Sequence, residues 1–340
     1  MTSPVGIIGS GSFGTAVANI IAQRRDVLVY SRNPETVRRM NEDRQGKGAR
    51  LHDRVRATNE RQELTESCNL LFPLVPSAGF RQTMQEFAPY LFPYHLIVHG
   101  TKGFDITPPE EGRKITRKHI HTMSEVIRQE TVVVRVGCLS GPNLANEILA
   151  GQPTASVIAS PFDEVIQAAT KVLDSKSFQV FGTYEMLGVE LAGALKNCIA
   201  IGSGMLAGKG LGKNLQALLI NRGLIEMIYI GKAMGAGPKA FLGTAGVGDL
   251  VCTATSENSR NFTFGKRLGS GESIETILAS GTELVEGLRN LEIAHELTEF
   301  YGITTPIFDM LHRVVYTKMT VETAIELLMR YPYYHDVDFL

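Results

Sequence analysis

The stretch VGIIGSGSFGTAVANIIAQR, residues 5–24, decides the fold of the N-terminal half. It begins with a short run of strand character, ends with a run of helical character, and carries Gly9, Gly11 and Gly14 between them in the spacing G-x-G-x-x-G. In this context the first glycine makes a tight turn, the second admits a pyrophosphate, and the third lets the helix pack closely on the strand. The stretch therefore predicts a dinucleotide-binding turn. An ordinary glycine-rich turn is the alternative, and the flanking strand and helix count against it.

Short β-branched runs and helical segments alternate outward from this stretch as far as residue 183. Strand–helix alternation favours a parallel sheet with helices on both faces. We therefore predict an α/β N-terminal domain with a doubly wound, mostly parallel sheet of the Rossmann type. Strands are predicted at 5–9, 26–31, 54–59, 69–75, 95–100, 131–137, 153–160 and 178–182, and helices at 13–24 and 33–43.

From Tyr184 onward the pattern is helical almost to the end of the chain. Gly235 stands where a helix C-cap is expected, Pro306 fits a first helical turn, and Thr320 fits an N-cap. We predict two domains: residues 1–185 form the dinucleotide-binding domain, and residues 186–340 form an all-α domain that binds the substrate and carries the catalytic residues. Helices are predicted at 214–235, 273–280, 284–302, 306–318 and 320–330.

The composition is that of an ordinary soluble protein. The 340 residues carry a net charge of −1, so neither a nucleic acid nor an anionic membrane is indicated as a partner. No signal peptide is evident at the N-terminus, and no segment offers the ~20 apolar residues that a membrane span needs. The four cysteines are far apart and form no C-x-x-C pair, so we expect reduced thiols, no metal site and a cytoplasmic location.

The end of the second predicted strand bears on which dinucleotide is bound. An NAD site usually has an acidic residue there that binds the ribose 2′-hydroxyl, but this chain has Tyr30, Ser31 and Arg32. The guanidinium of Arg32 could instead bind a 2′-phosphate. The alternative is that Arg32 stacks on the adenine or lies in solvent. The sequence favours NADP, or use of both NADP and NAD, over strict NAD specificity.

Two further segments have the composition of a site for a small anion. Ser259, Arg260 and Asn261 repeat the tripeptide Ser-Arg-Asn and follow a glycine-dense segment containing Asp249, which suggests a phosphate-binding group at a helix start. A surface arginine is the alternative. Lys102 follows a predicted strand, where ligands of a doubly wound sheet bind, and the segment 139–147, LSGPNLANE, should border the same crevice.

Lys196 is the only formal charge in LAGALKNCIAIGSG, residues 191–204. A buried ammonium is costly, so it usually loses its proton or finds a partner. A lysine that extends to the surface is the alternative.

Taken together, these segments resemble the NAD(P)-dependent sn-glycerol-3-phosphate dehydrogenase family, in a form similar to its bacterial branch, over essentially the whole chain. The resemblance implies a Rossmann-type domain followed by an all-α domain like the C-terminal domain of 6-phosphogluconate dehydrogenase. It also implies reversible reduction of dihydroxyacetone phosphate to sn-glycerol 3-phosphate for phospholipid synthesis, with NADP or NAD as cofactor, no metal, and a homodimer. The resemblance rests on the motifs GSGSFG, VPS at 75–77, TKG at 101–103, SGPNLANEI, VELAGALKNCIAIGSGM, GVGDLVCTAT, SRN at 259–261 with Gly265, and VEG at 285–287.

The resemblance also implies roles for individual residues. Lys196 matches the general base, Lys102 a second active-site lysine, and Asp249 and Thr253 the polar pair beside the reacting carbon. Phe13 stands where tryptophan is common and Asn143 where Ser or Thr is usual. Cofactor contacts are implied for Gly9, Gly11, Ser12, Phe13, Gly14, Arg32, Phe80, Lys102, Ala145, Arg260, Leu284 and Glu286, and substrate contacts for Lys102, Gly141, Asn143, Lys196, Asn197, Asp249, Ser259, Arg260 and Asn261.

Three alternatives fit the pattern less well. A 3-hydroxyacyl-CoA dehydrogenase would use a His–Glu pair, and no histidine lies in the motif regions. A nucleotide-sugar dehydrogenase would need an activated cysteine, and none has activating neighbours. A non-catalytic NAD(P)-binding sensor would keep the glycine loop but would not need Lys102, Lys196, Asp249 and Arg260 together.

Overall fold

The structure is a computed structural model that describes residues 3–110, 115–280 and 285–331. Contacts within the chain divide it into two units. The first consists of Met1–Asp105 and His121–Met186, and the second of Ile106–Ile120 and Leu187–Leu340. The segment Ile106–Ile120 thus groups with the second unit, although its position in the sequence lies within the predicted first domain. The assignment of 1–185 and 186–340 as functional domains stays a prediction.

The first unit is built on an eight-stranded sheet. Its strands are β1 Val5–Ile8, β2 Val27–Tyr30, β3 Val55–Thr58, β4 Leu70–Pro73, β5 Leu96–His99, β8 Val136–Ser140, β9 Thr154–Ala159 and β10 Phe178–Thr183; two short strands, β6 Asp105–Ile106 and β7 Ile120–His121, form a separate pair. The strand order is β10-β9-β8-β5-β4-β1-β2-β3, and every neighbouring pair is parallel except β8–β9. The prediction of a mostly parallel, doubly wound sheet is confirmed.

Helices connect these strands, and the order of the strands changes direction beside β1. Because β1 pairs with both β2 and β4, the loops after these strands leave the same edge at a topological switch point, where ligands of such sheets bind. The helices of this unit are α1 Ser12–Ala22, α2 Pro34–Glu42, α3 Arg61–Ser67, α4 Phe80–Phe87, α5 Met123–Glu130, α6 Ala145–Leu149 and α7 Asp163–Leu173, with single 3₁₀ turns at Ser77–Gly79 and Ala88–Tyr90. A further 3₁₀ turn, Arg117–His119, lies in the segment that groups with the second unit.

One predicted strand is displaced along the chain. The run 131–137 was expected to be a strand because it is rich in valine, but β8 begins only at Val136 and continues to Ser140. Val132 and Val134 lie outside the sheet, with 56% and 60% of their surface exposed. The prediction for 131–135 is therefore wrong, because β-branched composition indicates strand character without fixing which residues pair with β5 and β9.

Side chains of the same unit cover backbone groups at both edges of the sheet. At the β3 edge, Asn41 of α2 accepts a hydrogen bond from the Ala57 N–H at 2.8 Å and donates one to the Ala57 carbonyl at 2.9 Å. At the β10 edge, the Val180 N–H donates to Asp174 Oδ1 at 3.2 Å. These backbone groups are therefore not available to pair with another strand.

The second unit is helical, as predicted. Pro306 occupies the first helical position of its helix, the Thr320 hydroxyl accepts a hydrogen bond from the Thr323 N–H, and Gly235 has a φ of 92° just after its helix, so these three predictions are confirmed. Its helices are α8 Met186–Gly208, α9 Lys213–Ala233, α10 Lys239–Leu242, α11 Asp249–Thr255, α12 Arg260–Gly269, α13 Ile274–Ala279, α14 Glu286–Tyr301, α15 Pro306–Tyr316 and α16 Val321–Arg330, with a π-helical turn at Thr244–Gly248.

α8 is the central helix of this unit. In the part of the chain that the structure describes, it is the one helix long and apolar enough to cross a membrane, and 89% of its most apolar window is buried inside the protein. A helix that is apolar on all sides needs such burial. Its composition therefore reflects a position in the core.

α8 and α12 pack backbone against backbone through glycines. A Cβ at Gly204 of α8 would overlap the Phe262 carbonyl, and a Cβ at Gly265 of α12 would overlap the Ile201 carbonyl. Gly208 and Gly269 make the same kind of contact one turn further along. These contacts leave little freedom for α12 to slide along α8, so they fix the first turn of α12 relative to the middle of α8.

A buried carboxyl group from α9 caps α15. The side chain of Thr305, the residue before α15, makes no capping bond; instead Glu226 accepts hydrogen bonds from the Ile307 N–H at 2.8 Å and the Phe308 N–H at 3.0 Å. Burial raises the pKa of Glu226 from 4.5 to about 8, although the two backbone bonds oppose this and the Asp309 charge adds to it. Sequence reasoning did not predict this cap.

Glu226→Gln should change how stability depends on pH. Between pH 4.5 and pH 8 the folded protein holds a proton on Glu226 that the unfolded chain releases, so this group's contribution to stability falls as the pH rises. Glutamine does not titrate, and it loses one acceptor at a cost of about 1 kcal/mol. The melting temperature of the wild type should exceed that of the variant below pH 4.5, and the difference should shrink and then reverse as the pH rises towards 8. A difference that does not vary with pH would contradict this assignment.

Candidate active site

The glycine loop leaves β1 as a tight turn towards α1. Gly9 has a φ of 125°, and a Cβ there would lie 2.6 Å from the Leu74 carbonyl oxygen, so only glycine fits. A Cβ at Gly14 would overlap the Gly9 carbonyl. Beside Gly11, by contrast, a Cβ would meet nothing within 4 Å. The loop therefore presents open backbone at the N-terminus of α1, which fits the pyrophosphate of a dinucleotide.

The end of β2 lies beside this loop, since Ile8 of β1 pairs in register with Tyr30 of β2. The buried Ser31 accepts a hydrogen bond from Ser10 Oγ at 3.0 Å, so the second strand is tied to the glycine loop. Arg32 follows and is exposed. Sequence reasoning did not single out Ser10, because it occupies a variable position of the motif. At the end of β2 the chain therefore carries the hydroxyl of Ser31 and the guanidinium of Arg32.

Lys102 is held within the first unit by the loop that follows β8. Its Nζ donates a hydrogen bond to the Gly141 carbonyl at 2.8 Å, and Gly141 has a φ of 142°. Asn143 Oδ1 accepts from Ser156 Oγ at 2.6 Å, while its Nδ2 is buried with no hydrogen-bond partner among the described residues. The structure thus brings together the predicted residues Lys102, Gly141 and Asn143. The side-chain Nδ2 of Asn143 can still donate a hydrogen bond.

The remaining predicted cofactor contacts of this unit differ in how far their side chains are exposed. Ser12 and Phe13 begin α1 and Ala145 begins α6, and all three are partly exposed. Phe80 is fully buried and packs edge-to-face against His99 with ring centres 5.8 Å apart. Phe80 therefore has no exposed surface for a ligand here, and its role as a cofactor contact stays a prediction.

Lys196 lies in α8 of the second unit and is only 4% exposed. Its Nζ donates hydrogen bonds to Asp249 Oδ1 at 2.6 Å and to Thr253 Oγ1 at 2.5 Å. Asp249 and Thr253 lie one turn apart at the start of α11, and the Thr253 hydroxyl also donates to Asp249 Oδ1 at 3.3 Å. The buried ammonium therefore has a carboxylate partner, and the three predicted residues Lys196, Asp249 and Thr253 form one cluster.

The Ser-Arg-Asn segment begins α12. Ser259 is the N-cap, since its hydroxyl accepts a hydrogen bond from the Phe262 N–H at 3.3 Å. Arg260 is the first helical residue and is exposed, whereas Asn261 is buried and bonded to Asn197. The hydroxyl of Ser259 is thus engaged in capping the helix, and Arg260 is the member of the tripeptide that is exposed to a ligand.

Glu286, predicted on the cofactor side, is the first residue of α14 and is partly exposed. Leu284, predicted beside it, lies outside the described residues. Burial raises the pKa of the Cys68 thiol to about 12 and also raises that of Cys198, so neither is an activated nucleophile. Within residues 3–110, 115–280 and 285–331, no group of three or more His, Cys, Asp or Glu side chains could hold a metal ion.

Comparison with known proteins gives matches over nearly the full length. A family model described as the NAD-dependent glycerol-3-phosphate dehydrogenase N-terminus matches residues 4–166, and the model for the C-terminus matches residues 185–326. The glycerol-3-phosphate dehydrogenase [NAD(P)+] of Azotobacter vinelandii is 36% identical over 99% of this chain and 97% of its own, and that of Ectopseudomonas mendocina is 37% identical with the same coverage. The crystal structure of glycerol-3-phosphate dehydrogenase from Coxiella burnetii superposes with a TM-score of 0.86 at 30% identity, covering 97% of this chain and 99% of the other.

Proposed function

The chain belongs to the NAD-dependent glycerol-3-phosphate dehydrogenase family, and on this premise we propose a function for each part of the site. The enzyme reduces dihydroxyacetone phosphate reversibly to sn-glycerol 3-phosphate, and a nicotinamide dinucleotide, when bound, supplies the hydride. The observation that carries the assignment of the catalytic residues is the buried Lys196–Asp249 pair, because a lysine ammonium held in place inside a helical core is suited to moving a proton.

Lys196 acts as the general acid–base. As C2 of the substrate is reduced, negative charge develops on its oxygen, and the Lys196 ammonium stabilises this charge and donates the proton. Asp249 and Thr253 hold Nζ in place through the bonds described above. In the reverse direction the same amine accepts the proton of the hydroxyl. Asp249 and Thr253 also lie beside the reacting carbon, and Asn197 binds the substrate next to Lys196.

Arg260 binds the phosphate of the substrate. It is exposed at the first position of α12, where the helix dipole adds to the attraction of its own charge for an anion. Ser259 and Asn261 flank it as further substrate contacts. Lys102 contacts substrate and cofactor, and Gly141 and Asn143 contribute to the same substrate contact in the first unit.

The dinucleotide binds along the glycine loop. Gly9, Gly11 and Gly14 shape the backbone, Ser12 and Phe13 follow at the start of α1, and Arg32 binds the adenosine end. Phe80, Ala145, Arg260, Leu284 and Glu286 are further proposed contacts. Because Arg32 and Ser31 stand where a ribose-binding carboxylate would be, NADPH is used at least as well as NADH.

Arg32→Ala should raise the KM for NADPH at least about tenfold and change that for NADH little, because a charge-assisted bond to a phosphate is worth about 1.5–3 kcal/mol and NADH lacks the 2′-phosphate. Initial rates with each cofactor at saturating dihydroxyacetone phosphate measure both constants. Arg24→Ala is the matched control, since Arg24 is an exposed arginine just beyond the C-terminal end of α1. Equal effects of Arg32→Ala on the two cofactors would contradict a 2′-phosphate contact.

A direct assay tests the function itself. Purified protein with dihydroxyacetone phosphate should oxidise NADPH or NADH, followed by absorbance at the nicotinamide band. No turnover with either cofactor in folded protein would refute the enzymatic function and favour the NAD(P)-binding sensor. Turnover with a different hydroxy acid would favour another two-domain dehydrogenase.

Three finer properties belong to the same proposal. The enzyme supplies glycerol phosphate for phospholipid synthesis, lies in the cytoplasm, and forms a homodimer. Light scattering during size-exclusion chromatography tests the dimer, which predicts twice the chain mass of 37.2 kDa.

A further inference from the structure

Three helices of the second unit meet at a pair of buried asparagines. Asn197 of α8 is 5% exposed and Asn261 of α12 is 8% exposed. Asn261 Nδ2 donates a hydrogen bond to Asn197 Oδ1 at 3.0 Å, and Asn261 Oδ1 accepts one from the Gly287 N–H of α14 at 2.9 Å. A line of two hydrogen bonds therefore runs from the first turn of α14 to the residue next to Lys196.

The Gly287 backbone determines the orientation of both amides. A backbone N–H can only donate, so Asn261 must turn its oxygen towards Gly287 and its nitrogen towards Asn197. Asn197 must then turn its oxygen towards Asn261, and its own Nδ2 is directed away from that bond. The orientation of the Asn197 amide is thus set by α14 through Asn261.

The contact with α14 is also sterically tight. A Cβ on Gly287 would lie 2.7 Å from Asn261 Oδ1 and 2.8 Å from the Asn197 carbonyl oxygen, both closer than a real Cβ tolerates. Glu286, the proposed cofactor contact, is the preceding residue and the first of α14. A shift of this turn would therefore disturb Asn261, and a change at Asn261 would shift this turn.

We propose that Asn261 is a positioning residue that couples the cofactor-side turn of α14 to the substrate-side amide of Asn197. This inference rests on the proposed function, which places Glu286 at the cofactor and Asn197 at the substrate. Asn261 holds the first turn of α14 and the Asn197 amide of α8 in fixed positions. Loss of its side chain therefore weakens cofactor binding even when no substrate is present. A residue that only binds the substrate phosphate would leave cofactor affinity unchanged.

Two substitutions separate the two hydrogen bonds. Asn261→Ala removes both bonds, whereas Asn261→Asp keeps an acceptor for the Gly287 N–H and loses the donor to Asn197. The Kd for NADPH is measured by fluorescence without substrate. For Asn261→Ala it should rise about five- to tenfold, as expected for loss of the buried hydrogen bond from the Gly287 N–H, which connects Asn261 to α14. For Asn261→Asp it should stay within about twofold of the wild type, while kcat/KM for dihydroxyacetone phosphate falls in both variants. Asn258→Ala, at an exposed asparagine just before α12, is the matched control and should change neither quantity.

The outcomes are distinguishable. An unchanged NADPH Kd in Asn261→Ala, or an equal rise in both variants, would overturn the positioning role. Where Asn261→Ala does not fold, Asn261→Asp decides alone: an NADPH Kd that rises together with the loss of kcat/KM refutes the proposal. A wild type that binds NADPH but does not reduce dihydroxyacetone phosphate would refute the proposed function, and the NADPH affinities of the variants would still report on the link between α12 and α14.

Discussion

Lys196→Met should lower kcat by about 10²–10⁴-fold or more, because the variant keeps the helix propensity and much of the volume of the side chain and loses both the proton and the charge. NADPH affinity should be retained, since the glycine loop belongs to the other unit. Initial rates and fluorescence titration measure the two quantities. A lysine that only extended to the surface would give near-normal turnover, and that result would rule out the catalytic role.

The same variant should also be less stable. Removing a buried charge that had no partner would cost little stability or add some. Lys196 does have a partner, so the substitution leaves the Asp249 carboxylate buried without its cation. Breaking a buried ion pair in this way costs about 3–5 kcal/mol, which a shift in melting temperature would show.

The double variant Lys196→Met/Asp249→Asn separates stability from catalysis. It replaces the buried pair by neutral groups of similar size, so most of the lost stability should return. Turnover should remain as low as in the single variant, because no ammonium is present. Recovery of both properties together would mean that Lys196→Met is inactive only because it is unstable.

Arg260→Ala should raise the KM for dihydroxyacetone phosphate at least tenfold, because a charge-assisted bond to a phosphate is worth about 1.5–3 kcal/mol. The side chain is exposed at the start of α12, so its removal should leave the melting temperature close to that of the wild type. Steady-state kinetics over a range of substrate concentrations measures the effect.

Two comparisons make the Arg260 result specific. With dihydroxyacetone, which lacks the phosphate, the loss should shrink; an undiminished loss would place the role of Arg260 elsewhere. Lys266→Ala removes another cation from the same helix. Lys266 Nζ is paired with Glu257 at 2.6 Å, so this substitution should change the KM little. An equal effect of the two substitutions would indicate a general electrostatic influence in place of a phosphate contact.

The sequence by itself determined the features that depend on neighbours along the chain. The spacing of Gly9, Gly11 and Gly14, the caps at Pro306 and Thr320, and the alternation of strands and helices each reflect a few consecutive residues, because turns, caps and helix periods are local properties. The family motifs likewise indicated which side chains to examine.

The tertiary structure decided what depends on residues far apart in the chain. The pair Lys196–Asp249 joins residues 53 positions apart, and the bond between Asn197 and Asn261 spans 64 positions. The exposure of Val132 and Val134, the cap of α15 by Glu226 and the grouping of Ile106–Ile120 with the helical unit are of the same kind. Local patterns state that a buried lysine needs a partner or that a valine run favours a strand. Which residue becomes the partner of the lysine, and which residues form the strand, depends on how the helices pack and on the register of the strands. These contacts are stabilised by burial summed over the whole unit.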